Sequence, residues 1–241
     1  MFVVGGFNGT ERLSTVDCID MKTRRLVAMR QMSCVRSDAC AAVASGRLWV
    51  AGGFDGQTQL HTIECWTRET AQWRTIGHLP SATTGAHLLF DGRSLLLLGG
   101  FDSLHRLRTV HRLRIDDAAA VAALDAQLPW RPCPSMLSRR SNFAACIVDG
   151  DLLVAGGYDE KGVIADCEML PSCGGVDYEY HWRALPPLPE GRSAHTLIFL
   201  RPALALKRID ESIGSPAIVE SGQSPLRISF SEDTDDTDSE M

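Results

Sequence analysis

Histidines and cysteines are the residues of this sequence whose chemistry could support catalysis or metal binding. The chain has 241 residues with seven histidines and eight cysteines, and no two cysteines have the C-x-x-C spacing that begins many zinc sites. Ser193 and His195 have the residue types of a nucleophile and its base. Side chains two positions apart in a strand run parallel from backbone positions about 6.6–7 Å apart, and no carboxylate lies close in sequence to orient the imidazole. We therefore expect no catalytic residue, no metal and no cofactor, and a protein that is not an enzyme.

The elements that would position such residues repeat along the chain. Short apolar runs end in four glycine pairs, each followed by an aromatic residue: Gly5 and Gly6, Gly52 and Gly53, Gly99 and Gly100, Gly156 and Gly157. The intervals between the first glycines of the pairs are 47, 47 and 57 residues. Each pair leads into another strand and not into a helix, so it is not a phosphate-binding loop. A period of this length indicates a repeat architecture.

Tryptophan marks a second fixed position in each unit. Trp73 and Trp130 lie 26 residues before the first glycine of the next pair, and Trp182 lies 26 before Arg208. In the first unit Leu26 takes this place. The variation in length is therefore confined to the segment just ahead of the tryptophan. The alanine-rich stretch 116–127 is such an insertion, and a short helix could form there.

Each unit reads as four short strands. In the second unit we expect them at about 38–44, 47–51, 61–67 and 71–75, separated by turn residues. Small four-stranded sheets that repeat along a chain bury their faces against one another, as the blades of a propeller do. Glycine suits a strand that packs close to the central axis, and tryptophan can fill the wedge between blades.

The cysteines fall on strands that cannot be cross-linked within one blade. Cys18, Cys65 and Cys167 lie on third strands, whereas Cys40 and Cys146 lie on first strands. The second strand separates them by about 9.6 Å, which exceeds the Cα distance of about 7 Å that a disulfide tolerates. We expect free thiols in a reducing compartment.

Several landmarks together resemble kelch repeats. They are the glycine pair with its aromatic residue, strands such as TVDCID and TIECWT, the spaced tryptophan and an Arg-Ser start to the next unit. The likeness covers about residues 1–200 and is closest to the kelch-like proteins, whose BTB domain has no counterpart in this sequence. It implies an all-β fold, a kelch β-propeller over 1–208. The repeats would span about 1–35, 36–80, 81–138 and 139–190.

The two ends of the repeat region are complementary. The motif GRSAHTLIFL at 191–200 has the pattern of a first strand, and the chain opens on a second strand. The resemblance implies that the strand at 192–200 pairs with residues 2–6 and closes the first blade, which would remove two exposed edges. Four blades are fewer than the family usually has. The alternative is that these repeats form part of a larger propeller.

Two sets of loops emerge at the same edge of such blades: those between the second and third strands, and those between successive units. In kelch-like proteins this face binds peptide motifs. The resemblance assigns partner binding to Arg36, Ser37, Arg140, Ser141, Asn142, Arg192, Ser193 and Tyr158. Arginine binds carboxylates through paired hydrogen bonds, and serine can donate to a peptide backbone. The alternative is that these arginines only pair with the loop aspartates Asp55, Asp102 and Asp159.

The resemblance implies a protein-interaction module that binds a partner or substrate peptide, an acidic one where arginines contact it. Its setting would be substrate recognition for a cullin-type ubiquitin ligase. Two alternatives stay open. One is an actin-associated structural kelch protein, and the other, less favoured, is a propeller enzyme acting on sugars.

Charge is concentrated at the end of the sequence. The formal net charge is −6, and residues 209–241 carry nine acids and one base, which leaves residues 1–208 at about +2. A nearly neutral body lacks the basic patch of a nucleic-acid-binding protein. No apolar run approaches the roughly 18 residues that span a bilayer, and no signal peptide is recognisable. We expect a cytoplasmic protein with no membrane contact and a disordered acidic tail over 209–241.

Overall fold

The computed structural model of the chain describes residues 1–115, 128–172 and 180–199. In these ranges every regular element is a β-strand, so no described helix could cross a membrane. The insertion 116–127 and the acidic tail 209–241 lie outside the described residues.

Within the described residues, fifteen strands form four antiparallel sheets in chain order. The first sheet contains β1 (Phe2–Phe7), β2 (Arg12–Asp20) and β3 (Arg25–Ala28). The second contains β4 (Cys40–Ala44), β5 (Arg47–Ala51), β6 (Thr62–Thr67) and β7 (Gln72–His78). The third contains β8 (His87–Phe90), β9 (Ser94–Leu98), β10 (Val110–Arg114) and β11 (Arg131–Cys133). The fourth contains β12 (Ala144–Val148), β13 (Asp151–Ala155), β14 (Cys167–Leu170) and β15 (Arg183–Leu185).

The sheets are simple meanders, because each strand pairs with the next one along the chain. In the second sheet Trp49 lies opposite Cys65, and Trp66 lies opposite Trp73. This arrangement confirms the all-β prediction and the four-strand unit. The first sheet has three strands, since its unit begins on the second strand of the pattern.

The sheets follow one another face to face and bury their cores between them. Trp49 and Ile63 of the second sheet pack with Leu95 of the third, and all three are buried. Two further apolar clusters join the first sheet to the second and the third to the fourth. Of the first strands, β8 lies beside both β4 and β12. This is the blade arrangement of a β-propeller.

The glycine pairs are needed where one blade touches the next unit. Gly99 has φ +52°, and a Cβ there would lie 2.6 Å from the carbonyl oxygen of Arg140. Gly100 donates its N–H to that same oxygen at 2.9 Å. The same bond joins Gly6 to Arg36 and Gly157 to Arg192. A side chain would clash with the neighbouring backbone, so only glycine allows this contact.

The tryptophans link each sheet to the one before it. Trp73 donates its indole N–H to the carbonyl of Arg30 at 2.7 Å, and Trp182 donates to that of Pro134 at 2.8 Å. Trp130 makes the equivalent bond to His78 at 3.1 Å. The predicted place of tryptophan between blades is thus observed. Leu26, in the same slot of the first unit, is 64% exposed because no described sheet precedes it.

The predicted closing strand does not form within the described residues. Residues 191–199 contain no strand, and β1 pairs only with β2. Arg192 makes the same backbone bonds as Arg36 and Arg140, since it donates to Ile164 and accepts from Gly157, but no strand follows it within the described residues. Among the described residues, the second edge of β1 in the first sheet has no strand partner.

Candidate partner-binding face

The inter-unit loops and the loops after the second strands meet at one edge of the sheets, as the strand order predicts. A backbone bridge joins Ser37 to Phe54, and equivalent bridges join Ser141 to Tyr158 and Thr84 to Phe101. Each first strand therefore begins beside the aromatic residue that follows a glycine pair. We call this edge the aromatic face.

The aspartates of these loops stabilise their own turns. Asp55 Oδ1 accepts the N–H groups of Gln57 and Thr58, both at 2.7 Å. These bonds, that from Thr58 first, hold the pKa of Asp55 below its usual value. Asp102 and Asp159 make the same kind of turn with the residues two and three positions on. The alternative that they pair with the inter-unit arginines is therefore wrong for Arg36 and Arg140, whose partners lie elsewhere.

Arg36 is buried inside the second sheet. Its side chain has no exposed surface, and its Nη2 lies 2.7 Å from Oε1 of the equally buried Glu64. Nη1 donates to the carbonyls of Gly52 and Thr62 at 2.8 and 3.2 Å. The expected contact between this guanidinium and a partner does not match its position, because every donor direction faces the protein.

The fourth sheet repeats the arrangement with Arg140 and Glu168, whose Nη2 and Oε1 atoms are 2.5 Å apart. Arg140 also donates to the carbonyl of Gly156 at 2.8 Å and is fully buried. In the third sheet Thr83 and His111 occupy the two equivalent positions, so arginine and glutamate are replaced together. Arg36 and Arg140 hold the inter-unit loops in place, and the expected contact with a partner does not match the position of Arg140 either.

The other predicted residues divide by exposure. Ser37 and Ser141 are buried, with 6% and 3% of their surface exposed. The Ser37 hydroxyl donates to the carbonyl of Phe54. Asn142 and Ser193 are half-buried, and Arg192 is exposed. Tyr158 is 37% exposed and lies on the aromatic face.

The aromatic face carries a ladder of rings and polar side chains that the sequence analysis missed. The guanidinium carbon of Arg12 lies 5.1 Å from the ring centre of Phe7 and 4.7 Å from that of Phe54. Arg106 lies in the same way between Phe101 and Tyr158, at 5.3 and 5.7 Å. Each arginine thus contacts the aromatic residue of its own unit and that of the next. We call this row of side chains the aromatic ladder.

A simple signal in the sequence marks the ladder. In each unit one ladder residue is the aromatic residue that follows the glycine pair. The other lies five residues later, and these residues are Arg12, Gln59, Arg106 and Val163. Each of these residues pairs with its aromatic residue across the loop. The interval is constant in all four units and could have been read beside the glycine spacing.

The two ladder arginines differ in how their charge is compensated. Arg106 lies 3.6 Å from a carboxylate oxygen of Glu160, and this pair is partly exposed. Arg12 forms no ion pair within the part of the chain that the structure describes. The Nε atoms of both are shielded and have no hydrogen-bond partner there. These shielded atoms cannot reach a ligand, but the Arg12 guanidinium as a whole, held between two rings without an ion pair in the described chain, is suited to binding an anionic group.

A groove of about 630 Å³ opens on the same face between the second and third sheets. Its walls include the ladder rings Phe54 and Phe101, and its other lining residues are polar or small: Asp38, Gln57, Thr58, Gln59, Ala82, Thr84 and Ser103. It is the one place in the described ladder where neighbouring rings have no arginine between them.

Cysteines contribute no chemistry to this face. The seven described cysteines are free thiols. Burial raises the pKa of Cys40 and of Cys65 to about 12, so these thiols are not nucleophiles at neutral pH. Within the described ranges no three side chains of metal-ligating type come together.

Comparison with known proteins supports the fold. The family model of the kelch motif matches residues 1–25, 36–80 and 139–171. No curated protein matches the sequence. The chain is similar in structure to YjhT, with a TM-score of 0.65 and 17% identity over 81% of this chain and 70% of that one. Identity this low shows the fold alone. The chain therefore contains kelch motifs and has the all-β fold of a β-propeller.

Proposed function

We propose that this protein is a non-enzymatic interaction module that binds acidic segments of a partner protein on its aromatic face. The observation that carries the proposal is Arg12, stacked between Phe7 and Phe54 with no carboxylate of the described chain to neutralise it. Aromatic residues and arginine are enriched in the cores of protein interfaces, and tyrosine and arginine are among the side chains that most often dominate the binding energy. Kelch repeats are commonly interaction modules, which agrees with this role.

The binding residues differ in part from those that the resemblance suggests. Arg12 and Arg106 supply the guanidinium groups in place of Arg36 and Arg140. Tyr158 stays in the set because its exposed ring belongs to the ladder. Asn142, Arg192 and Ser193 keep accessible surface and would lie at the rim, whereas Ser37 and Ser141 act through the backbone bridges.

The resemblance of the sequence to kelch-like proteins suggests a cellular setting for the proposed module. We propose that the module binds substrates for a cullin-type ubiquitin ligase in the cytoplasm. The free thiols support a reducing compartment. Within the described residues no observation favours an actin filament or a sugar substrate over a protein segment.

Peptide selection tests the proposal. A randomised peptide library displayed on phage is selected against the unchanged protein, and the affinity of the enriched peptides is measured for Arg12→Ala and Arg106→Ala. We expect acidic peptides whose affinity falls about 10- to 100-fold, the loss that follows removal of a charge-assisted hydrogen bond or two. Added salt should weaken binding.

Arg74→Ala is the matched control, because Arg74 is exposed on β7, an outer strand away from the aromatic face. It should bind as the unchanged protein does. Selected peptides that bind Arg12→Ala and Arg106→Ala at full affinity would show that the aromatic face is not the binding surface.

A further inference from the structure

We propose that the groove between Phe54 and Phe101 binds the guanidinium group of an arginine side chain from the partner protein. The inference rests on the proposed function. The ladder arginines predict only acidic residues in the partner, and the groove adds a basic one. Three observations carry it: the internal repeat, the space in the groove and the charge of its lining.

The repeat shows what the slot between two ladder rings accepts. Between the rings of the first and second units lies Arg12, and between those of the third and fourth lies Arg106. The equivalent position of the second unit is Gln59, which pairs with Phe54 across the loop. The chain therefore places its own guanidinium groups in two of the three slots. The middle slot, between Phe54 and Phe101, contains none.

Gln59 does not take the place of the missing group. Its amide is held against the third sheet, since Nε2 donates to the hydroxyl of Thr84 at 3.3 Å and Oε1 accepts from the hydroxyl of Ser103 at 2.6 Å. A shorter side chain fixed in this way leaves the groove of about 630 Å³ open. The space is ample for an inserted side chain, and two aromatic rings line it.

The charge in the groove selects a cation. Asp38 is the one charged residue of its lining. It is exposed, and its carboxylate makes no hydrogen bond or ion pair with another described residue. Neither lysine nor arginine lines the groove. A carboxylate beside two aromatic rings attracts a positive group, and a planar guanidinium can stack on the rings while pairing with the carboxylate through two hydrogen bonds. Lysine offers neither the plane nor the paired donors.

The neighbouring slots define the sequence that the partner would present. Arg12 and Arg106 flank the groove on its two sides along the ladder and favour carboxylates. A segment that crosses the face would therefore carry an arginine with acidic residues on both sides. This alternation separates the inference from simple binding of an acidic peptide.

The library selection described above reads out this pattern directly. On the unchanged protein we expect enriched peptides to contain an arginine flanked by Asp or Glu. Replacement of that arginine by citrulline, which keeps the planar shape and removes the charge, should weaken binding at least about tenfold, as expected for loss of a charge-assisted bond. Replacement by lysine should weaken it as well.

Two protein variants test the groove itself. Asp38→Asn should lose about tenfold in affinity for the arginine peptides. Gln59→Arg places the chain's own guanidinium in the slot, as in the first and third units, and should abolish their binding without lowering thermal stability. Asp149→Asn is the matched control, because Asp149 is also exposed with φ +50° but lies in the turn between β12 and β13, on the opposite edge.

The outcomes separate the two ideas. Acidic peptides that require Arg12 and Arg106 but lack arginine, or bind Asp38→Asn and Gln59→Arg normally, would overturn the groove assignment and leave the proposed function standing. Enrichment of lysine in place of arginine would also overturn it. A selection that yields no peptide binder would overturn both.

Discussion

Arg36 and Arg140 each bring a full charge into a site without exposed surface. Such a charge is tolerated when a carboxylate and several carbonyls saturate its donors, and Arg36 has Glu64, Gly52 and Thr62 for that purpose. Glu64 is saturated in turn, since it accepts the N–H of Ser33 at 2.8 Å. The pair therefore anchors the loop that leads into the second unit.

Removal of one partner should reveal this role. Glu64→Gln leaves the buried Arg36 guanidinium without its counter-charge, and we expect a loss of about 3 kcal/mol in the free energy of unfolding. Urea denaturation followed by tryptophan fluorescence measures it. Glu69→Gln, the same change on an exposed turn, should have an effect near zero. Equal stability of the two variants would contradict the anchoring role.

The pH dependence of stability follows from the same pair. Burial alone would raise the pKa of Glu64, but the hydrogen bonds from the Ser33 N–H and the Arg36 guanidinium outweigh it and hold that pKa below the usual 4.5. A lowered folded-state pKa adds stability above the unfolded value, and that stability is lost as the pH falls below it. Glu64→Gln should therefore flatten the acid side of the stability profile.

At the scale of the elements, the glycine pairs determine how closely one unit approaches the next. Gly99 has a left-handed backbone conformation. A Cβ at this position would clash with the Arg140 carbonyl oxygen and would lie 2.9 Å from the ring of Phe143. The next unit therefore packs directly on the end of β9. This contact therefore determines the positions of the loops of the aromatic face.

Gly99→Ala should destabilise the protein more than alanine at another glycine that also has a positive φ but has open space around it. Gly46 has φ +71°, and no atom lies within 4 Å of the position that its Cβ would take, so Gly46→Ala carries only the conformational cost of about 1–2 kcal/mol. Gly99→Ala adds the clash with backbone. Thermal denaturation compares the two, and an equal loss would show that close approach is not the reason for glycine.

At the scale of the whole described region, the four sheets differ in how well they are covered. The third has neighbours on both faces, and β9 is buried along its full length. The first has a described neighbour on one face only, and β3 is exposed throughout. Local stability follows burial and pairing.

Hydrogen exchange should follow this gradient. We expect the amides of β1 and β3 to exchange fastest among the strands and those of β9 slowest, measured by mass spectrometry of peptic fragments. The expected order reflects the single paired edge of β1 and the exposure of β3. Uniform protection across the four sheets would mean that the free edge of β1 is covered in solution.

The sequence by itself determined the repeat, the four-strand unit and the fold class. Glycine and tryptophan mark points where the backbone and the wedge between blades accept few alternatives, so their spacing carries the architecture. It also placed both sets of loops at one edge. These features depend on local pattern and chain order, which the sequence contains.

Only the tertiary structure decided which arginines face outward. Arg36 and Arg140 look like surface residues because their partners, Glu64 and Glu168, lie 28 positions away on third strands and become neighbours only when the sheet forms. Arg12 and Arg106 look ordinary until the rings of two successive units close around them. The open groove at Gln59, and the lack of a second strand partner for β1 among the described residues, depend on packing between units. Burial of a charge is a property of everything around it, and short-range sequence pattern does not contain that information.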